Sequence, residues 1–522
     1  MTEDSLTTRA THIWAVALTG ASLFMITLDN LIVLSTLPSM QRDLAVSVDR
    51  LQWVVDAYIL SFAVLMLTGA ALGDRYGRRR MLVVGLLLFT ASSAAGALST
   101  DLTQLVIARA VQGVGAALLM PMTLTLLSAA FPPERRTFAL GLWSSIAGLG
   151  VALGPLLGGL IVETLDWHWI FWINVPVGLT AAALAPRRLT ESRGAQVPLD
   201  LPGLALASGG LLGIVWATTR GNSEGWTSSS TLIAYAIGAA LLGAFVAQER
   251  RSAAPMLPLG LFRRPGFAAA NGAGFGLHFT MFAAFFLIIQ YLTQVHGDSA
   301  IRAGVETLPW TLLPLAASPF TGALGGRIGH RPMIVAGLLL LSAGTAGAAF
   351  AMGVGASYAE LVAPLVAIGF GIALVLPNVA SAALGSALPE HIGKASGANS
   401  TFRQLGAVFG IAVAVLVFDR AGSYSSPGAV VDGARAALFV AATVGVLCAA
   451  AAFGIPARAR TQVAVSRVAR AAHSTSLARN EAATRGSRSV RRGGARCRRR
   501  RSERPPGAGS RGRSPRAPAR AR

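Results

Sequence analysis

Fourteen separate stretches of this 522-residue chain are long and apolar enough to cross a bilayer, and the arginines between them fall almost entirely in every second loop. A hydrocarbon core about 30 Å thick takes roughly 20 apolar residues per helix. The stretches run over 13–36, 51–72, 81–99, 103–131, 137–163, 169–186, 201–219, 230–248, 267–294, 302–326, 332–353, 358–388, 397–419 and 434–455. In lipid a backbone must satisfy its own hydrogen bonds, so each is expected to be a helix. The chain therefore reads as an all-α, polytopic membrane protein.

Composition narrows the reading. Apolar residues make up 53% and charged residues 13%, with a mean hydropathy of +0.57; a soluble domain carries about 25% charge. The apolar stretches lack the two-residue alternation of outer-membrane strands. Cys448 and Cys497 are too few for a disulfide framework and are expected to stay unpaired. The opening MTEDSLTTRATH is polar rather than basic, and span 1 outlasts a signal-peptide core. Span 1 is expected to remain as an anchor.

Basic residues near span ends stay cytoplasmic. Loop 2–3 holds Arg75, Arg78, Arg79 and Arg80; loop 4–5 holds Arg135 and Arg136; loop 6–7 holds Arg187, Arg188 and Arg193. Arg250, Arg251, Arg263 and Arg264 follow in loop 8–9, Arg327 and Arg331 in loop 10–11, and Lys394 in loop 12–13. In the alternate loops, acids offset the few arginines. Both termini are expected in the cytoplasm, with the chain in the inner membrane.

The net charge of +22 is concentrated at the end of the chain. From Arg458 onward there are 20 arginines against Glu481 and Glu503, a net of +18. This segment has almost no apolar bulk, so residues 456–522 are expected to be a disordered cytoplasmic tail. Contact with anionic head groups or RNA, plain solvation, and translation in an unintended frame all fit its composition. Nucleic acid is not an expected partner of the chain as a whole.

Three motifs carry chemistry. In loop 2–3 the run Gly69-Ala-Ala-Leu72-Gly73-Asp74-Arg75-Tyr-Gly77-Arg78-Arg79-Arg80 sets an acid at a helix end beside arginines and a turn-forming glycine. It reads as a charge latch in which Asp74 pairs with an arginine across the gap between helix bundles. In span 4, Leu105-x-x-x-Arg109-x-x-Gln112-Gly113-x-Gly115 buries an arginine that needs a carboxylate, carbonyl or water facing it. In span 5, Gly150-x-x-x-Gly154-Pro155-x-x-Gly158-Gly159 joins close-packing glycines to a helix-kinking proline.

Taken in this order, at these spans, the motifs make the chain resemble the major facilitator superfamily. The span count, Thr27-Leu28-Asp29-Asn30 with Leu37-Pro38, Gln52-Trp53-Val-Val-Asp56-Ala-Tyr58, and Trp167-His168-Trp169-Ile-Phe171-Trp172-Ile-Asn174-Val-Pro176-Val-Gly178 make it similar to the fourteen-helix drug/proton antiporters. Tyr291-Leu-Thr-Gln294, Leu308-Pro309-Trp310, Gly393-Lys-Ala395-Ser396-Gly397, Asn399 and Arg403-Gln-Leu-Gly406 add to the likeness, which covers about 13–455. The resemblance implies six-helix bundles over 13–186 and 267–455, two inserted helices over 201–248, and rocking between inward and outward openings. It also implies drug export driven by proton entry, the span 5 motif accompanying antiport.

The chain departs from the pattern at several positions. Ala70 replaces a glycine, and Gly326 stands in Gly325-Gly326-Arg327-Ile-Gly329-His330-Arg331 where an aspartate is common, which weakens the second latch. His168 stands where arginine is common, and Gln404 where some relatives carry an acid, which puts cation selectivity in question.

Proton coupling needs a group that is charged or neutral at accessible cost, and a carboxyl withdrawn from bulk water holds its proton more tightly. Asp29, halfway along span 1, is the first candidate, with an interhelical hydrogen bond as the structural alternative. Asp56 is either a second coupling acid or interfacial. Arg109 is expected to pair with one of them. His278 ordinarily titrates near pH ~6.5, yet a lone histidine on an apolar helix is commonly a packing residue. Trp53, Tyr58, Gln112, His278, Phe282, Tyr291, Trp310, Asn399 and Arg403 are the candidates for a cavity lining. Gating is assigned to Asp74, Arg75, Gly77, Arg78, Gly150, Gly154, Pro155, Gly158 and Gly159.

No P-loop, nucleophile elbow or metal-spaced cluster is present in the sequence, so neither an ATP pump nor an enzyme is expected. The expected activity is proton-coupled efflux of amphiphilic drugs, antibiotics or dyes by a monomer, with the proton gradient in place of a cofactor. Export of one endogenous metabolite and solute import are the alternatives.

Overall fold

The computed structural model describes residues 3–46, 48–51, 53–194, 200–252, 255, 257–388 and 391–457. Gln52, the arginine-rich tail from 458 and Cys497 lie outside them. The described chain is helical almost throughout. The main helices are α1 (Glu3–Leu44), α2 (Trp53–Tyr76), α3 (Arg78–Ala97), α4 (Leu102–Ala130), α5 (Pro133–Thr164), α6 (Asn174–Arg188) and α7 (Leu201–Glu224). They continue with α8 (Ser229–Arg251), α9 (Pro265–Gln294), α10 (Leu308–Ile328), α11 (His330–Ala351), α12 (Tyr358–Gly385), α13 (Ile392–Ala421) and α14 (Pro427–Ala451). Short helices Val48–Leu51, Trp169–Trp172 and Ala300–Glu306 lead into α2, α6 and α10.

Among the described residues, thirteen helices are long and apolar enough to cross a membrane. The remaining main helix, α10, has 21 residues but is less apolar, because Pro309, Pro314 and Pro319 interrupt its leucines. It nonetheless packs between α5 and α12. Span 10, expected as one helix over 302–326, breaks at Thr307, where Pro309 enters the first turn of α10. A proline has no N–H to give and is tolerated there.

Local chemistry sets the ends. Asp101 caps α4 by accepting from Gln104 N at 3.0 Å, Asp200 caps α7 through Gly203 N at 2.9 Å, and Ser357 with Glu360 forms a capping box on α12. Gly77 and Gly329, with φ of +111° and +104°, make the tight joints α2–α3 and α10–α11. A side chain is strained in that backbone region. Several hydroxyls inside the spans bond back one turn, as Thr19 Oγ1 does to Ala15 O at 2.6 Å, which satisfies them away from water.

Helices α1–α6 pack as one six-helix group and α9–α14 as another, with the α7/α8 pair resting on α2 and α13. Helix α8 is covered mainly by α7, and Leu232, Ile233 and Ile237 on it stay exposed, as suits a lipid-facing helix. The two bundles meet along two seams, α5 with α10 and α2 with α13. At the α5 seam a Cβ on Gly141 would sit 2.6 Å from Pro319 Cα, so only glycine allows that approach.

The apolar core differs between the two ends of the molecule. At the end carrying Asp74, one buried cluster joins Leu67, Leu126 and Leu127 of the first bundle to Ala380, Leu384, Ala395 and Ala398 of the second. At the opposite end the clusters stay within their own bundles, Ile32, Leu105 and Phe171 in one, Tyr291, Leu361 and Val431 in the other. The bundles are thus sealed together at the Asp74 end.

Candidate transport site

Helix α4 carries Arg109 into the middle of the first bundle, where it is 1% exposed. Its Nη1 donates to Asp29 Oδ2 at 2.6 Å and to Gln112 Oε1 at 2.8 Å, and its Nε donates to the Val54 carbonyl at 3.1 Å. Asp29 Oδ1 accepts from Gln112 Nε2 at 2.8 Å and from Asn174 Nδ2 at 3.2 Å. Asn174 also donates to Ser93 Oγ at 3.2 Å, and Ser93 Oγ donates to the Phe171 carbonyl at 2.8 Å. The Tyr58 ring lies under the guanidinium at 4.1 Å. Five spans thus converge on one carboxylate.

An ion pair this deep is held by its hydrogen bonds as much as by its charge. Desolvating two charges is expensive, and removing one partner from such a pair costs about 3–5 kcal/mol. The polar partners of Asp29 reduce that cost. Asp29 is the shared acceptor of three donors, on Arg109, Gln112 and Asn174.

In the second bundle α13 supplies Arg403, which is 6% exposed, and α9 supplies His278. Arg403 Nε donates to His278 Nε2 at 3.2 Å, so the acceptor on the ring is Nε2, and His278 Nδ1 faces the Gly274 carbonyl at 3.1 Å. Asn399, one turn before Arg403, donates to Asn271 Oδ1 at 3.3 Å. Phe282 stacks on His278 with ring centroids 6.1 Å apart.

The latch departs from expectation in its partner. Asp74 pairs with Arg78 of its own bundle, Oδ1 accepting from Nη2 at 2.8 Å and from Nε at 3.0 Å. Arg75 instead stands 5.6 Å from the Tyr76 ring. Across the seam Asp74 meets a helix start rather than an arginine: a Cβ on Gly393, in the first turn of α13, would run into the carboxylate. A helix start attracts an anion through its free N–H groups. Loop 6–7 braces the joint, Gly194 N donating to the Asp74 carbonyl at 3.0 Å and Glu191 accepting from Arg79 N at 2.9 Å. In the second half, where Gly326 replaces an acid, Asn378 Oδ1 meets His330 Nδ1 at 2.9 Å.

Gly150 and Gly154 of the span 5 motif line the side of α5 that faces α1. A Cβ on Gly150 would strike Thr27 Oγ1, and one on Gly154 would lie 2.6 Å from Leu31 Cβ, so α5 rides directly on α1. A Cβ on Gly159 would lie 2.6 Å from Ile301 Cγ1, Gly158 is buried, and Pro155 lies within the helix.

Asp56 sits apart from Asp29. It is 5% exposed, in the first turn of α2, and the charge of Arg220 on α7 acts on it. The same guanidinium lies 4.3 Å from the Trp53 ring. The inserted pair therefore touches the acid-bearing end of α2.

The cavity candidates do not form one group. Tyr58 and Gln112 belong to the Asp29 network inside the first bundle. Tyr291 donates to the Gly353 carbonyl at 2.9 Å at a bundle end, and Trp310 is buried edge-on to Phe285 at 5.4 Å. Trp53 lies against α7. His278, Phe282, Asn399 and Arg403 do come together. Ser93 was not singled out in the sequence, having no signal beyond an ordinary small polar residue, while Asn174 stood only inside a longer signature. His296, Asp298 and Glu306 bring ligand atoms within 4.8 Å of one another, but Arg302 binds Asp298 at 2.9 Å and Glu306 at 3.1 Å, which accounts for the cluster as an ion-pair network.

Known proteins share the sequence pattern and the fold. The Major Facilitator Superfamily model matches residues 19–309 and 270–493. The chain belongs to the major facilitator superfamily. Within it, the chain is 38% identical over 408 residues to the multidrug resistance protein Stp of Mycobacterium tuberculosis, covering 77% of this chain and 75% of that protein. It is 33% identical over 411 residues to the tetracenomycin C resistance and export protein of Streptomyces glaucescens, with the same coverage of 77% and 75%. The fold matches the human organic anion transporter MFSD10 (TETRAN) with a TM-score of 0.60 at 18% identity, over 85% of this chain and 99% of that one. As a superfamily member it is a multi-pass membrane transporter.

Proposed function

We propose that the chain exports amphiphilic drugs, antibiotics or dyes across the cytoplasmic membrane in exchange for protons. The buried Asp29–Arg109 pair with its Gln112 and Asn174 partners is the observation that carries this reading. It supplies one carboxylate, shielded from bulk water, whose protonation loosens the hydrogen bonds tying α1 to α4 and α6. The resistance and export roles named for the relatives support the direction of transport.

In this scheme protons enter from outside, reach Asp29 and release Arg109 from its partner. Rocking of the bundles then breaks the Asp74–Gly393 contact at the cytoplasmic end. The alternating arginine loops support placing that end, and both termini, in the cytoplasm. On this orientation the structure is closed to the cytoplasm. The protein acts as a monomer and needs no cofactor beyond the proton gradient.

Export of one metabolite made by the host is the second reading, favoured by the single antibiotic in the name of the Streptomyces relative. Expression in an efflux-deficient host tests the main one. Ethidium accumulation should fall, a protonophore should restore it, and Asp29→Asn should insert normally but fail to pump. Wild-type pumping by Asp29→Asn would remove Asp29 from the coupling role. Protection against one antibiotic only, with no effect on ethidium, would favour the second reading.

A further inference from the structure

A guanidinium buried without a carboxylate is expensive in a hydrocarbon-enclosed core, and such groups mark places where charge is used. Arg403 is one. It lies midway along α13, 6% exposed, and forms no ion pair among the described residues. Among the described residues its one side-chain hydrogen bond runs to His278, which offers a neutral acceptor nitrogen, and Nη1 has no hydrogen-bond partner. The acids on α9–α14, Glu360, Asp419 and Asp432, all stand near helix ends. Arg109 in the first bundle, by contrast, is neutralised by Asp29 at 2.6 Å.

The surroundings of Arg403 supply recognition as well as charge. Trp143 of α5 reaches over from the first bundle, its ring 5.6 Å from the guanidinium carbon. Trp143 Nε1 and Asn399 Oδ1 are buried and also lack hydrogen-bond partners among the described residues. One cation and one indole therefore meet across the junction of the two bundles, with the Asn399 amide one turn away on α13. A ligand held there touches both moving halves. A planar anion satisfies the guanidinium bidentately, and an aromatic body stacks on the indole.

We propose that Arg403, Trp143 and Asn399 bind the acidic end of an amphiphilic substrate, an aromatic or polycyclic carboxylate, at the bundle junction. The inference rests on the export reading for the route and adds the substrate class to it. Gln404, beside Arg403, leaves this part of α13 without the acid that would attract a cation.

Calorimetric titration of the purified full-length protein tests this without a gradient, using nalidixic acid, its neutral ethyl ester and ethidium. The wild type should bind the ionised acid at least about tenfold more tightly than the ester. Arg403→Gln should abolish that preference while ester and ethidium affinities stay within about twofold, and Arg403→Lys should keep part of it. Equal affinity of the wild type for acid and ester, or equal loss of all three ligands in Arg403→Gln, overturns the assignment. Because the acid-against-ester comparison uses the wild type, misfolding of a variant does not decide the result. Vesicles that pump ethidium against a proton gradient while the protein ignores nalidixic acid sink this inference alone. Binding of the acid without proton-driven transport sinks the export reading instead.

Discussion

Arg109 donates to Asp29 at 2.6 Å from a helix 80 residues further along the chain, and neither side chain reaches solvent. The pair joins α1 to α4, while α5 packs on the opposite side of α1, where Gly150 and Gly154 meet Thr27 and Leu31. One helix therefore carries both the buried carboxylate and the α5 contact.

Breaking the pair from one side should hurt more than removing it whole. Asp29→Ala leaves Arg109 buried and unpaired, at a cost of about 3–5 kcal/mol. The double variant Asp29→Ala with Arg109→Leu should recover much of that stability and none of the transport. Thermal unfolding in detergent and ethidium efflux report the two effects separately. Equal stability of the single and double variants would show that the pair is not coupled.

The α1–α5 contact should tolerate no added methyl. A Cβ on Gly150 meets Thr27 Oγ1, so Gly150→Ala should cost about 1–3 kcal/mol and slow efflux. Thr27→Ala removes the clashing oxygen and should restore part of both. A double-variant cycle measures the coupling, and additive effects would mean the clash relaxes elsewhere.

Gly393 should control the seal at the Asp74 end. Gly393→Val drives a side chain against the Asp74 carboxylate and should part α13 from α2. Ser396, buried and bonded to the Pro121 carbonyl at 3.2 Å, is the reporter. In a background lacking the native cysteines, Ser396→Cys should react slowly with a maleimide. Adding Gly393→Val should raise the rate about tenfold or more, and an unchanged rate would mean that the seal does not depend on this contact.

Arg220 should matter through α2. Its guanidinium lies 4.3 Å from Trp53, and its charge acts on Asp56. A cation–π contact contributes about 0.5–2 kcal/mol, so Trp53→Leu should lower stability by that order, measured by thermal unfolding. Arg220→Gln should slow efflux while Arg220→Lys keeps most of it. Unchanged efflux in Arg220→Gln would confine α7 to a packing role.

The spans were legible in the sequence because hydropathy is a local property that lipid reads one helix at a time. Helix α10 is the instructive exception. Its prolines dilute its hydropathy and break its start at Thr307, yet α5 and α12 hold it in the bundle. Arg109 was legible as a group in need of a counter-charge, but Gln112 looked like a cavity residue and serves Asp29 instead. Asp74 announced a latch without naming its partner, since the first turn of α13 carries no distinctive side chain at Gly393.

Sequence alone determined the class, the number of crossings and the positions of the costly buried charges, because each follows from the transfer of single residues or segments out of water. Tertiary structure decided which charges meet: Asp29 with Arg109, Asp74 with the start of α13, and Arg403 with a histidine and an indole instead of a carboxylate. Those pairings depend on helix rotation and on close approach at glycines, which distance along the chain does not encode.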